Sequence, residues 1–147
     1  MSEHETATRE LAVGRVLEEL IEANRMLLGP RVTPLAGQEL SRSHLEALFL
    51  IAHRDNVTPG ALASSMRITA GAVTQLLAKL RRAGLVVAAP TLTDSRSITL
   101  TLTGSAEKEL TMFEAQAVEQ SMPHFERLTT ADLESLSALL SLVTVRS

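Results

Sequence analysis

The stretch from Thr58 to Gly84 constrains the chain most, because it spells out helix starts and stops one after another. Thr58-Pro59 reads as an N-cap followed by a proline at the first helical position, where a missing N–H costs nothing and the fixed φ suits a helix. That opens a short helix, Gly60 to about Met66. Arg67-Ile68 leaves only a tight connection before Thr69, a second N-cap, and a helix from Ala70 to about Ala83. Gly84 closes it, since glycine turns left-handed beyond a helix end without a Cβ clash. Past Gly84 the apolar period changes from 3.6 to 2. Leu85-Val86-Val87 is strand-like, Pro90 to Ser95 is a polar turn, and Ser97 to Leu102 alternates hydroxyl and aliphatic side chains. Helix, turn, helix and β-hairpin make a winged helix-turn-helix. An ordinary helical hairpin in a bundle shares the helix order, so topology alone leaves both open.

The flanks are helical. Residues 1–7 read as frayed. From about Thr8 to Leu28, Leu11, Val16, Leu17, Leu20, Ile21, Leu27 and Leu28 recur at three- and four-residue spacing, and Gly29-Pro30 stops the helix. After a loop with Pro34 and Gly37, Ser41 can cap a second helix to about Arg54, with Leu45, Leu48 and Ala52 inward. Thr103 can cap a fifth helix to about Ser121, which Pro123 interrupts. Leu128-Thr129 followed by Leu133 fits a hydrophobic staple opening a last helix to about Val143. The predicted class is mainly α with a small β-hairpin, in one domain of residues 1–147.

At 147 residues, 45% apolar and 21% charged, the chain can bury a core and is not compositionally disordered. Having no cysteine, it has no disulfide, thiol redox sensor or thiolate metal site. No apolar run reaches the roughly 18 residues of a membrane span, and the polar start has no signal-peptide core, so a cytoplasmic protein is expected. The net charge of −3 argues against nucleic acid, but its distribution does not. No Asp or Glu lies between Asn56 and Thr93. Five cations (Arg67, Lys79, Arg81, Arg82, Arg96) against Asp94 give residues 56–96 a net +4, leaving −7 for the remainder. A basic middle between acidic ends suggests a binding surface on an acidic scaffold.

At about 100° per residue, Val73, Leu76, Leu77 and Leu80 share one side of the fourth helix and point inward. Gly71, Gln75, Ala78, Lys79 and Arg82 fall opposite. Small residues let backbones approach closely; Gln can pair with adenine, and Lys and Arg reach guanine or phosphate. Thr69, Thr74 and the first amides, with Ala72 among them, suit phosphate, as Thr58 does at the preceding helix. Arg96 at the hairpin tip suits a minor groove, with Asp94 near enough to hold its guanidinium. A surface ion pair of little consequence is the competing reading of those two.

These segments together resemble the MarR family of winged-helix regulators. Leu40-Ser41 with His44 and Leu48 looks like that family's "LT-x-x-Q" pattern, with His in place of Gln. Val57 through Ala63 resembles the helix before the turn. Ile68 through Val86 is similar to the recognition helix and its "GLV" ending, Asp94-Ser95-Arg96 to the wing's D-x-R, and Leu102-Thr103 to the "LT" of the next helix. Gln75 and Ala88 stand where many members carry Arg, and Ala106 where Gly is usual, which implies fewer cationic contacts and a shallower salt dependence.

The resemblance implies a DNA-binding winged helix-turn-helix over about 40–102 and dimerisation helices over about 8–30 and 104–145. Leu11, Leu17, Leu20, Leu136, Leu139, Leu140 and Val143 are the candidate dimer contacts, the last helix being apolar almost all round. The implied partners are double-stranded DNA and a second copy of the chain, with no membrane. No cofactor is expected; the family often takes a small-molecule effector, of unknown identity here. His44 reads as a helix-start hydrogen-bonding residue, His53 as solvated, Arg15 and Arg25 as surface cations, and no metal site is indicated. The alternative function is a winged-helix dimer that binds protein instead of DNA. No nucleophile elbow, P-loop or zinc-protease motif supports an enzyme.

Overall fold

The computed structural model describes residues 2–27, 32–35, 37–91 and 94–144. Helix α1 (Glu3–Leu27) begins earlier than the frayed start predicted. Ser2 accepts from the Glu5 amide, and Glu3 and Glu5 sit favourably at the positive end of the helix dipole. The Gly29-Pro30 stop lies outside the described residues.

Where a loop was expected, strands β1 (Val32–Leu35) and β2 (Gln38–Ser41) pair antiparallel, Leu35 opposite Gln38. Gly37, at φ 75°, makes the turn, and Leu35 and Leu40 are both buried. Pro34 is tolerated because a two-stranded ribbon is all edge.

Helix α2 (Arg42–His53) is capped by Ser41 as predicted. Its inner face differs: Ala47, Leu48 and Ile51 are buried, Leu45 is half-buried and Ala52 is exposed. With apolar residues on several sides of this helix, the buried face is chosen by what α2 packs against. Helix α3 (Pro59–Met66) has Thr58 as N-cap, its hydroxyl accepting from the Ala61 amide. Arg67 then adopts φ 55°, and the Ile68 amide donates back to the Ala63 carbonyl.

Helix α4 (Ala70–Arg82) buries Val73, Leu76, Leu77 and Leu80, the four residues predicted. It ends in a Schellman arrangement: Gly84 has φ 71°, the Leu85 amide donates to the Leu80 carbonyl and the Gly84 amide to that of Arg81. Strands β3 (Val86–Thr91) and β4 (Asp94–Leu102) form the wing, with the register running from Val86–Leu102 to Pro90–Ile98. The register then shifts, and Thr91 pairs with Asp94. The strands thus extend into the stretch predicted as turn.

Thr103 ties the wing to the next helix. Its hydroxyl donates to the Gly84 carbonyl at 2.8 Å and accepts from the Ala106 amide. Helix α5 (Gly104–Phe125) continues through Pro123, contrary to the predicted interruption. Proline removes one donor and crowds one carbonyl, and so near the helix end this does not stop the last turn. Helix α6 (Thr130–Thr144) follows a reciprocal cap in which the Thr129 amide donates to the Asp132 carboxylate and the Asp132 amide to the Thr129 hydroxyl.

The chain forms two compact units, residues 1–107 and 108–147. The first contains the core, where α2, α3, α4 and the wing meet around Leu48, Leu62, Leu80 and Leu85. The second holds most of α5 and all of α6, and α6 buries no residue.

Candidate nucleic-acid interface

The site is built on α4, whose orientation is fixed by its four buried aliphatics. With those residues inward, Gly71, Gln75, Ala78 and Arg82 form an exposed row at spacings of four, three and four. From Gly71 to Arg82 the row is about 16 Å long at 1.5 Å per residue. It starts with a glycine, carries Gln and Ala in its middle and ends on a guanidinium, whose Nε donates to the Ala78 carbonyl at 3.3 Å. No carboxylate lies on α4.

Thr69 and Thr74 are exposed at the start of the helix. Both hydroxyls are engaged locally, Thr69 accepting from the Ala72 amide at 3.1 Å and Thr74 donating to the Ala70 carbonyl at 3.0 Å. Ala72 is half-buried at the edge of the row, and Thr58 is half-buried at the start of α3.

Lys79 stands apart from the row. It is half-buried, and its Nζ donates to the Glu39 carbonyl of β2 at 3.3 Å. Reading by helix face also passed over two exposed cations, Arg67 in the turn and Arg81 in the last turn of α4. The acid-free window that contains both was the signal for them.

The backbone of Asp94 and Arg96 lies in β4, whereas the expected pairing of their side chains falls outside the described residues. The wing is anchored at its base. The Leu100 amide donates to the Val57 carbonyl at 2.8 Å, and the Thr103 amide to that of Leu85 at 3.0 Å.

His44 meets the reading made of it: its Nδ1 lies in hydrogen-bonding contact with the Ser41 hydroxyl, and its amide donates to the same oxygen. Partial burial, and secondarily the charge of Lys79, hold its proton affinity below the usual histidine value. His53 is exposed and stacks on Phe49 at 6.2 Å between ring centroids. Arg25 forms an exposed ion pair with Glu22.

The candidate dimer residues Leu11, Leu17, Leu20, Leu136, Leu139, Leu140 and Val143 are all exposed, from 37% for Leu20 and Leu140 to 74% for Val143. Among the described residues no group of three or more His, Cys, Asp or Glu is placed to hold a metal ion. No described helix is long and apolar enough to cross a membrane.

Residues 38–97 match the model of the MarR family. FabT of Streptococcus pneumoniae, solved in complex with DNA, superposes with a TM-score of 0.60 at 18% identity, covering 96% of this chain and 94% of its own. A ZitR mutant of Lactococcus lactis gives 0.55 at 20% identity over 97% of both chains. The MepR–DNA complex of S. aureus gives 0.54 at 24% identity, over 71% of this chain and 76% of its own. No curated protein matches in sequence. Residues 38–97 are thus similar to the MarR family's winged helix, and the chain shares its fold with FabT and ZitR. MepR is a transcription regulator of the S. aureus multidrug efflux pump MepA.

Proposed function

We propose that the chain is a sequence-specific DNA-binding transcription regulator that acts as a homodimer in the cytoplasm on a pseudo-palindromic operator. The exposed row of α4, Gly71, Gln75, Ala78 and Arg82, carries this reading, because it is acid-free and faces away from the core. In a major groove Gln75 would read base edges and Arg82 a guanine or a phosphate. The helix start at Thr69, with Ala72 and Thr74, and Thr58 on α3 would meet the phosphate backbone. Arg96, steadied by Asp94, would enter the adjacent minor groove. FabT and MepR, which share the fold, have been solved on DNA.

The dimer reading rests on α1 and α6, neither of which buries a residue in its own chain. A two-fold pair would set two α4 helices about 34 Å apart, one DNA turn. The family resemblance adds repression relieved by a small effector.

The test is a salt titration of binding to duplexes from the protein's own upstream region. Affinity should fall with rising salt, and Arg82→Ala and Arg96→Ala should each lower the slope of log K against log salt by about 0.9 without unfolding the protein. Well-folded dimers whose binding ignores salt would favour the protein-interaction reading.

A further inference from the structure

The placement of Lys79 suggests a device that the α4 row by itself does not. Its ammonium is held by the Glu39 carbonyl, and two residues along the same strand Ser41 holds the His44 imidazole. Strand β2 therefore brings together a cation from the DNA-facing helix and a titratable ring from the start of α2.

On the reading of α4 as the DNA-contacting helix, we propose that Lys79 is a stored phosphate contact, docked on β2 while His44 is neutral and released when His44 takes up a proton. One long hydrogen bond to a neutral carbonyl is a weak tether, so a modest repulsion from a second positive charge nearby is enough to release it. Burial is the larger reason that the charged form of His44 is disfavoured; the nearby charge of Lys79, the second reason, is the same repulsion seen from the imidazole.

Lys79 is the charged group that acts on His44, and His53, at the other end of α2, is exposed. On α2 itself Arg42 and Glu46 are exposed, and on β2 the Glu39 side chain is exposed. Arg81 and Arg82 of α4 are exposed too, while β1 and α3 carry no ionisable side chain. In β4 the charged residues are Asp94 and Arg96, six and four positions from Leu100, where the strand bonds the core. Release moves only the side chain, since Val73, Leu76, Leu77 and Leu80 keep α4 in place.

The experiment measures the salt slope of binding to a duplex selected by the full-length protein, at about pH 8 and about pH 5, either side of the ordinary histidine value. Wild type, Lys79→Met and His44→Gln are compared. At the higher pH all three slopes should coincide. At the lower pH the wild-type slope should steepen by about 0.9 relative to both variants. A Lys79→Met slope reduced equally at both pH values, a His44→Gln slope that steepens like wild type, or a wild-type slope that never separates from the variants would overturn the gate alone. A wild-type protein that binds no duplex at either pH would overturn the DNA-binding reading along with it.

Discussion

Val57 and Leu100 are joined by a backbone hydrogen bond of 2.8 Å, which fastens the wing to the turn that opens α3. A two-stranded hairpin is marginal alone, and this one gains a third backbone partner from the helical core. Both side chains are buried, so wing and helix-turn-helix share one hydrophobic contact region.

Leu100→Ala should therefore destabilise the whole winged helix by about 2–4 kcal/mol, as large-to-small changes in a packed core do. Urea denaturation would show a lower midpoint. A transition confined to the wing, with the helices unaffected, would contradict the shared core.

Arg67 occupies the left-handed region at φ 55°, where a Cβ is strained. Arg67→Gly should relieve this and raise stability by about 0.5–1 kcal/mol, once glycine's greater freedom in the unfolded chain is subtracted. A thermal melt checks it. A drop in Tm would mean that the Arg67 side chain makes a compensating contact.

The Thr129–Asp132 cap supports the start of α6. Thr129→Ala should cost about 1 kcal/mol, the usual loss for an N-cap hydroxyl. Circular dichroism during thermal unfolding would register it. Thr129→Ser should restore most of the loss, because the hydroxyl geometry survives.

His44 predicts a pH dependence. Its proton affinity is lower folded than unfolded, first through desolvation and then through Lys79. The unfolded histidine takes up its proton near pH 6.5, so below that value the unfolded state binds more protons. The contribution to stability is full above about pH 6.5 and is lost as pH falls towards the lower folded value. Denaturant midpoints between pH 8 and pH 5 should fall less in His44→Gln than in wild type.

The helix-turn-helix was legible because its punctuation is local: Thr58, Thr69 and Gly84 each act within a few residues of themselves. The inward side of α4 was legible for a related reason, since its aliphatics lie on one side and its polar residues on the other. The β1–β2 hairpin was not, because it depends on Leu35 and Leu40 finding a core made of distant segments. The buried face of α2 escaped in the same way, with Ala47 and Ile51 selected by neighbours and not by periodicity. Side-chain reach is the least legible: nothing in the spacing of α4 separates Lys79, docked on a carbonyl 40 positions away, from Arg82, whose guanidinium bonds the Ala78 carbonyl one turn back on its own helix.

Helices α1 and α6 bury nothing within their own chain, yet most of a helix's stability in a protein comes from packing an apolar face. If a second copy supplies that packing, the melting temperature must rise with protein concentration. On the proposed function, a cell would then set the occupancy of its DNA sites twice over by how much chain it makes, once through folding and once through binding.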